Sequence, residues 1–199
     1  MESRADVSFR ELLRAEFQPY GELSIGQLDL LEQHYQLLFK WNSRLNLTRI
    51  SDLVEVVRFH YGESLFVGTA LPPGPLSVGD LGSGAGFPGV PLAVFRPDLQ
   101  IVLLESDSRK AVFLREATRE VRNIRVSANR YQQYQGRFDW VVSRAVSPKE
   151  ILGSGLASNF ALLMSAEAAP AGSEVIRLPW GRDRALIVSR GTVPRGTSQ

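Results

Sequence analysis

The segment from Asp80 to Gly89, which reads DLGSGAGFPG, constrains the fold of this chain more than any other segment. Its four glycines stand between the apolar runs 76–81 and 90–95. Glycine permits sharp turns and the close approach of a ligand or another backbone. A strand, a glycine-rich turn and a helix form the nucleotide-cofactor corner of a doubly wound α/β sheet. The segment therefore predicts such a corner.

Two nucleotide cofactors fit this corner. Gly84, Gly86 and Gly89 form the GxGxxG pattern of dinucleotide sites, which is a weak signal by itself. Asp80 stands two residues before Gly82, and a carboxylate near this turn can help to hold the ammonium of S-adenosylmethionine. We therefore predict S-adenosylmethionine as the cofactor. An ordinary glycine-rich loop between a strand and a helix is the structural alternative.

The composition excludes several classes of chemistry. The 199 residues include no cysteine, which excludes disulfides, thiolate nucleophiles, cysteine zinc sites and cysteine-bound iron–sulfur clusters. Radical adenosylmethionine chemistry and cysteine-based methylation of pyrimidine C5 are excluded with them, and we predict no metal. The sequence has no run of eighteen apolar residues, and residues 1–6 lack the apolar segment of a secretory signal. We expect a cytoplasmic protein with no membrane partner.

The cations are unevenly distributed between residue types. Twenty arginines stand against three lysines, although the net charge is only +2. Arginine pairs with phosphate and stacks on bases, so this bias favours an anionic partner. A lineage-wide preference for arginine would give the same composition. The modest net charge argues against strong, indiscriminate binding of nucleic acid.

Residues 1–72 are predicted to form a helical subdomain. Ser24 and Gln27 have the spacing of a capping box, and apolar residues then recur on one helical face as far as Trp41. Another helix is predicted to begin at Asp52, and a shorter one precedes both. The segment 72–75, which reads PPGP, breaks the helical pattern and separates this subdomain from the rest of the chain.

Residues 73–190 are predicted to form an α/β domain with a doubly wound, mostly parallel sheet. Seven short runs predict its strands, namely 76–81, 100–105, 124–127, 138–143, 160–164, 174–178 and 185–189. A helix is expected over 109–122, and the last two strands are expected to form a hairpin across 179–182. Residues 191–199 are predicted to be a flexible tail.

Several polar residues follow predicted strands, where doubly wound sheets bind their ligands. Glu105 ends the second strand, 19 residues after Gly86, and can accept hydrogen bonds from both ribose hydroxyls of an adenosine cofactor. A solvated strand end is the alternative. Tyr131 and Gln132 follow the third strand, at the usual place of the adenine edge. Arg144 follows the fourth strand and can face cofactor or substrate, or else form a structural salt bridge.

Two further polar features have weaker functional implications. Arg115, Arg119 and Arg122 share one stripe of a predicted helix and have glutamates beside them. This pattern favours a solvated face over a track for RNA. His60, taken alone, predicts a structural histidine whose hydrogen bonds are satisfied within the protein.

Taken in order, these segments resemble the bacterial small-subunit ribosomal RNA methyltransferase G family, also called GidB, over about residues 28–144. The matching parts are Trp41-Asn42, Asn46-Leu47-Thr48, His60, Glu63-Ser64-Leu65, the segment 80–89, Leu104-Glu105-Ser106, the segment 109–114 and Ser143-Arg144-Ala145. The resemblance implies a Rossmann-like class I methyltransferase fold. It also implies methylation of N7 of one guanine in the decoding-region loop of 16S rRNA. The expected partner is 16S ribosomal RNA or the small ribosomal subunit, and we expect a monomer.

The resemblance extends to individual site residues. It implies that Gly82, Phe87 and Arg144 bind the cofactor and that Tyr131 and Gln132 belong to the adenine loop. Asp80, Ser83, Gly84 and Glu105 complete the predicted cofactor site, and Arg58 and His60 are candidates for contact with RNA. The chain departs from the family pattern at two of these segments, because Gln132 replaces a common acid and Glu63 replaces the usual aspartate. The region after Pro148 also looks shorter.

The implied reaction needs no general base, because N7 of guanine has a free lone pair and no proton must leave. Alignment of the reacting atoms can supply roughly 7–11 kcal/mol of the barrier. The N7 edge of A-form RNA lies in a deep, narrow groove, so the target guanine is expected in a loop or a distorted helix. Arg144 is expected to bridge the cofactor and substrate regions.

Three other functions remain open from the sequence. A small-molecule methyltransferase would share the cofactor corner and would not depend on RNA. A nicotinamide-dependent oxidoreductase fits the GxGxxG pattern, but the chain has no recognisable catalytic Tyr–Lys pair. A non-catalytic RNA-binding protein also fits, because the C-terminal region is atypical of the family.

Overall fold

The computed structural model describes residues 7–144, 146–181 and 183–191. The helices within this part are α1 Phe9–Phe17, α2 Ile25–Leu45, α3 Leu53–Val56, a π-helical segment Val57–Gly62, α4 Glu63–Ala70, α5 Gly89–Phe95, α6 Ser108–Ala117 and α7 Pro148–Ser154. The strands are β1 Ser77–Leu81, β2 Gln100–Leu104, β3 Ile124–Ser127, β4 Trp140–Ser143, β5 Asn159–Ser165, β6 Glu174–Arg177 and β7 Arg184–Ser189. Short 3-10 turns cover Tyr131–Gln133 and Ala166–Ala168. The predicted tail, residues 191–199, lies outside the described residues apart from Gly191.

The N-terminal helices begin where the sequence predicts. The Ser24 side chain accepts from the Gln27 N–H, and the Gln27 side chain accepts from the Ser24 N–H, so a complete capping box starts α2. The Gln27 side chain also donates to the Val94 carbonyl at 2.8 Å and thereby joins α2 to the end of α5. Asp52 caps α3 by accepting from the Glu55 N–H. The π-helical segment that follows α3 has no signal in the apolar pattern.

The seven strands form one sheet in the order β3-β2-β1-β4-β5-β7-β6. Neighbours from β3 to β5 are parallel, and β7 is antiparallel to both β5 and β6. The prediction of a doubly wound, mostly parallel sheet is therefore confirmed. The strand order reverses between β1 and β4, and ligands bind outside the carboxyl ends of strands at such a point. The turn after β1 and the residues after β2 and β4 meet there.

The helix predicted over 109–122 is too long. Helix α6 ends at Ala117, and the Thr118 hydroxyl donates to the Leu114 carbonyl at 2.7 Å. A threonine side chain that bonds to the backbone in this way competes with continuation of the helix. Val121 is nevertheless buried, in the turn that leads into β3.

One apolar cluster joins the N-terminal helices to the sheet. It includes Leu31 and Tyr61 from the helices together with Leu92 and Leu103 from the α/β part, all fully buried. The division of the chain near residue 72 remains a prediction. Among the described residues, the helices are all too short or too polar to cross a membrane.

Helix α5 begins in close contact with β1 and β2 because Gly89 has no side chain. A Cβ at Gly89 would lie 2.3 Å from a Leu103 methyl carbon and 2.6 Å from the Asp80 carboxylate. A Cβ at Gly26, in the first turn of α2, would have no neighbouring atom within 4 Å. The two glycines therefore form a matched pair for substitution.

We expect Gly89→Ala to destabilise the protein by about 1–3 kcal/mol, because overpacking forces backbone and side chains apart. Gly26→Ala should be neutral or stabilising by up to about 1 kcal/mol, since alanine favours the helix. Urea unfolding of both variants at the same pH measures the difference. Equal midpoints for the two variants would contradict the close packing at Gly89.

Candidate functional site

The turn after β1 has a backbone that favours glycine at three positions. Gly82, Gly84 and Gly86 have φ angles of 69°, 56° and 91°, in the left-handed region. A Cβ at Gly86 would lie 2.6 Å from Val90, whereas the nearest atom to one at Gly84 is the Gly82 carbonyl oxygen, 3.8 Å away. The side of the turn at Gly84 is therefore open, and a ligand can approach its backbone.

Asp80 lies beneath this turn and is fully buried. Its Oδ2 accepts from the Gly89 N–H at 3.1 Å, whereas Oδ1 has no hydrogen-bond partner among the described residues. Burial raises the pKa of Asp80 to about 7, although hydrogen bonds from the turn oppose the shift. A cationic or hydrogen-bond-donating group near the turn would satisfy the free oxygen.

Glu105, at the end of β2, joins the same turn from the neighbouring strand. Its Oε2 accepts from the Gly84 N–H and its Oε1 from the Asp107 N–H, both at 2.8 Å. The Gly82 and Ser83 N–H groups both donate to the Leu104 carbonyl. Each carboxylate oxygen has a second lone pair, so Glu105 keeps acceptor capacity for a ligand hydroxyl.

A cleft lies beside the turn, at the carboxyl ends of β1, β2 and β3. Its lining consists of Gly82, Leu104, Ser106, Asn129, Arg130, Tyr131 and Gln132. We call it the turn cleft. The structure thus brings the predicted adenine-loop residues beside the glycine turn, with Tyr131 half-buried and Gln132 exposed.

Phe87 lies on the other side of the turn and contacts the N-terminal helices. Its buried ring stacks on His60, with centroids 4.8 Å apart, and meets the rings of His34 and Tyr61 edge-on. The Arg144 guanidinium carbon lies 5.1 Å from the centroid of the same ring, in a cation–π arrangement. The side chain of Phe87 therefore joins the turn to the helices, and only its backbone remains for a cofactor.

His60 links the helices to Arg144. An Arg144 Nη1–H donates to His60 Nδ1 at 2.7 Å, because a guanidinium can only donate. His60 therefore carries its proton on Nε2 and donates to the Thr48 hydroxyl, also at 2.7 Å. Burial lowers the pKa of His60 to about 3, with the Arg144 charge as the second cause. The ring is neutral, and its two bonds within the protein do not support direct contact with RNA.

The segment around Thr48 is held in place by Asn42. The Asn42 side chain donates to the Thr48 carbonyl and accepts from the Thr48 N–H, at 3.0 and 2.8 Å. Asn46 ends α2 with a φ angle of 47°. Asn42, Asn46 and Thr48 therefore shape the loop that orients His60.

His34, which the sequence reasoning missed, contacts the turn from α2. Its Nε2–H donates to the Ala85 carbonyl at 3.0 Å, and Nδ1 accepts from the Tyr61 hydroxyl at 2.7 Å. Burial lowers the pKa of His34 to about 4. Its position on the apolar face of α2 was the only signal in the sequence, and that position is equally typical of a core residue.

Arg58, the other candidate for RNA contact, is paired within the protein. Its Nη2 lies 2.6 Å from Glu16 Oε1, and its side chain is 43% exposed. Glu16 Oε2 also accepts from the Trp180 indole N–H. Arg58 therefore lies on the surface but is engaged with α1.

A second cleft lies beyond Arg144, on the side of the N-terminal helices. Its lining consists of Ile50, Phe59, His60, Arg144 and Arg184, and we call it the basic cleft. Phe59 and His60 belong to the π-helical segment, a form that recurs at functional sites. Arg144 therefore lines the basic cleft and contacts, through Phe87, the turn that borders the turn cleft.

The family of the protein follows from comparison with known sequences. Residues 27–155 match the family described as rRNA small subunit methyltransferase G. The chain belongs to this family. Ribosomal RNA small subunit methyltransferase G of Chromobacterium violaceum is 41% identical over 130 residues, which are 63% of this chain and 62% of that protein. The protein of the same name from Legionella pneumophila is 38% identical over 150 residues, 73% of this chain and 70% of that protein.

The chain spans about three fifths of the length of several such relatives. Among solved structures, a SAM-dependent O-methyltransferase of Thermotoga maritima superposes with a TM-score of 0.55 at 11% identity, covering 78% of this chain and 72% of that chain. A SAM-dependent methyltransferase of Aquifex aeolicus gives 0.54 at 12% identity, covering 72% and 95%. These likenesses concern the fold alone, and they confirm the class I methyltransferase fold.

Because His34 is buried, we expect part of the pH dependence of the protein's stability to disappear when this residue is replaced. In the unfolded chain this ring takes up a proton near its ordinary pKa of 6.5, whereas the folded protein resists protonation until about pH 4. The unfolded state therefore binds more protons between these values, and His34 reduces stability by about 1.4 kcal/mol per pH unit as the pH falls. His34→Gln should be less stable than the wild type at pH 7.5, and the gap should narrow from pH 6.5 towards pH 4.

Urea unfolding at pH 7.5, 6 and 5 measures this gap. Tyr61→Phe is the control, because it removes the hydroxyl bonded to His34 and keeps the histidine, so its gap to the wild type should change little with pH. If the difference in stability between His34→Gln and the wild type stays constant with pH, the His34 ring has the same pKa in the folded protein as in the unfolded chain.

Proposed function

We propose that this protein transfers a methyl group from S-adenosylmethionine to N7 of a guanine in the RNA of the small ribosomal subunit. The observation that carries the proposal is the open glycine turn above the buried Asp80, in a chain of the rRNA small subunit methyltransferase G family. The relatives bear the name of an enzyme that acts on ribosomal RNA. Because the chain matches only part of their length, the activity and the substrate are proposed here.

The residues around the turn fit an adenosylmethionine. The unpartnered Oδ1 of Asp80 and the open side of Gly84 suit the amino acid end of the cofactor. The turn cleft offers the Tyr131 ring and the Gln132 amide to a base, and Glu105 offers acceptor lone pairs to ribose hydroxyls. Gly82, Ser83 and the backbone of Phe87 complete the proposed set. When bound, the cofactor supplies an electrophilic methyl group on a sulfonium.

The chain's own residues then position the cofactor and the guanine and polarise the groups that react. None of these residues has to remove a proton. Guanine N7 carries a free lone pair, so alignment is the main requirement. Arg144 is held by His60 and by the Phe59 carbonyl, so its guanidinium has a fixed place in the lining of the basic cleft. A guanidinium fixed in this way can orient an anionic or carbonyl group of a ligand without reorganisation.

The target guanine should belong to an irregular part of the RNA. N7 in a regular A-form helix lies in a groove that side chains do not enter. A loop nucleotide meets this requirement, whether in naked 16S rRNA or in the intact subunit. The monomeric state, the cytoplasmic location and the boundary near residue 72 are part of the same proposal.

The rival functions differ from this one in what they bind. A small-molecule methyltransferase would bind adenosylmethionine and leave rRNA unmodified. A nicotinamide-dependent oxidoreductase would bind NAD, but Asp80 lies beneath the turn with a pKa of about 7, so a pyrophosphate there would favour the neutral carboxyl whereas a cation would favour the charged form. This placement of the carboxylate favours the cationic cofactor.

We expect Arg144→Ala to lower the rate of rRNA methylation about tenfold or more, because one charge-assisted contact contributes roughly 1.5–3 kcal/mol. Arg115→Ala, an exposed arginine on α6, is the control and should keep the wild-type rate. Thermal unfolding of both variants establishes whether they are folded. Unchanged turnover in Arg144→Ala would remove the proposed role.

The function itself is tested by mass mapping of rRNA that lacks the modification. After incubation with the protein and labelled adenosylmethionine, one guanine should gain 14 mass units and the label, with the positive charge typical of N7 methylation. Naked 16S rRNA and small subunits are offered separately, and calorimetry compares adenosylmethionine with NAD. Unlabelled rRNA in both preparations would contradict the proposal, and binding of NAD alone would favour the oxidoreductase.

A further inference from the structure

The basic cleft has a charge that the methyl transfer just described does not explain. Two of its five lining residues, Arg144 and Arg184, are arginines, and none of the lining residues that the structure describes carries a carboxylate. His60, which also lines the cleft, is neutral. The cleft therefore has two guanidinium groups in its lining, and a buried Glu63 behind it pairs with one of them, Arg184.

The two arginines oppose each other electrostatically. Burial lowers the pKa of Arg144 to about 10; the Glu63 carboxylate opposes this shift, and the positive charge of Arg184 adds to it. Arg184 also helps to lower the pKa of His60. Like charges that act on each other in this way are unfavourable, and an anion that entered the cleft would reduce this repulsion further than the buried Glu63 does alone.

Glu63 compensates Arg184 from behind and does not close the cleft. Its carboxylate is fully buried and accepts from Arg184 Nε and Nη2, the latter at 2.6 Å. This pair leaves both N–H groups of Arg184 Nη1 outside the salt bridge. The Arg184 side chain is 37% exposed, so the buried glutamate holds a guanidinium that still reaches solvent.

The other walls suit a nucleotide attached to that anion. Ile50 and the half-buried Phe59 supply apolar and aromatic surface beside the arginines. Arg49, immediately before Ile50, is exposed and forms no salt bridge with the residues that the structure describes. The cleft has a volume of about 390 Å³, which is in the range of small-ligand sites.

We propose that the basic cleft binds a backbone phosphate of the RNA substrate, with Arg184 and Arg144 as its donors and Glu63 as the residue that positions Arg184. Arginine pairs with phosphate through parallel N–H bonds, and phosphate contacts fix the register of a protein on RNA. The inference rests on the proposed function and names the part of the substrate that this cleft recognises.

The test replaces the ion pair without changing the net charge of the protein. Glu63→Gln with Arg184→Gln removes one charge of each sign, leaves two groups that can hydrogen-bond to each other, and avoids a buried unpaired glutamate. Arg184→Lys keeps a cation in the cleft and serves as the charge-retaining variant. Arg115→Gln removes one exposed arginine outside the cleft and controls for the loss of an arginine at another place on the surface.

Binding of each variant to unmodified 16S rRNA and to unmodified small subunits is measured from 50 to 200 mM salt, and adenosylmethionine affinity is measured by calorimetry. The logarithmic salt slope should fall by about 0.7 in the double variant, as for one phosphate contact on single-stranded RNA. Between 50 and 200 mM salt, the double variant should therefore lose about 2.5-fold less affinity for RNA than the wild type loses. Arg184→Lys and Arg115→Gln should keep the wild-type slope, and all folded variants should bind adenosylmethionine as the wild type does.

Several outcomes would overturn the phosphate site. A wild-type slope in the folded double variant would mean that no phosphate contact was lost, and an equal fall in Arg115→Gln would mean that the slope responds to the loss of any surface arginine and does not locate a phosphate in the basic cleft. A parallel loss of adenosylmethionine affinity would assign the cleft to the cofactor. If the wild type methylates rRNA but the double variant has the same salt slope as the wild type, the phosphate site is wrong and the proposed function stands. If the wild type neither binds nor modifies rRNA, the proposed function fails with it.

Discussion

The backbone of the glycine turn is held from three directions, and the rest of the site depends on this constraint. Asp80 bonds to the Gly89 N–H from below, Glu105 bonds to the Gly84 N–H from the neighbouring strand, and a histidine from α2 bonds to the Ala85 carbonyl. Both acidic side chains are buried against backbone amides with no salt-bridge partner among the described residues. Backbone donors stabilise such carboxylates, and burial opposes them. The open face of the turn is therefore held in place and lies over the buried carboxyl of Asp80, whose charged form a nearby cation would favour.

Two neutral histidines join the helices to this rigid turn. An imidazole offers one donor and one acceptor on opposite sides of a flat ring, and each histidine uses both. His34 connects Tyr61 to Ala85, and His60 connects Thr48 to Arg144, while Phe87 contacts both rings. Protonation of either ring would replace an acceptor by a donor and break one bond. Burial prevents this at neutral pH, so the contact between the helices and the turn is kept.

Much of the fold was predictable because its signals are local. The capping box at Ser24, the strand–turn–helix pattern around the glycines and the alternation of strands and helices each depend on residues close in sequence, and the structure confirms them. The predicted end of α6 was wrong. The periodic apolar residues favoured a longer helix, whereas the hydrogen bond from the Thr118 side chain to the backbone competes with its continuation. Only part of the candidate site could be predicted from the sequence. The turn and Glu105 could be placed from spacing, whereas the part played by His34 has no local signature.

The sequence by itself determined that a sharp turn with left-handed backbone follows the first strand, because glycines at these spacings serve that geometry well and most other residues do not. Only the tertiary structure decided which side chains meet around it. Glu63 and Arg184 are 121 residues apart, and Phe59 and Arg144 are 85 apart. Such pairs form because packing of the helices against the sheet brings distant segments together, and this packing is set by the whole apolar core. The basic cleft exists for this reason, and no single segment of the chain encodes it.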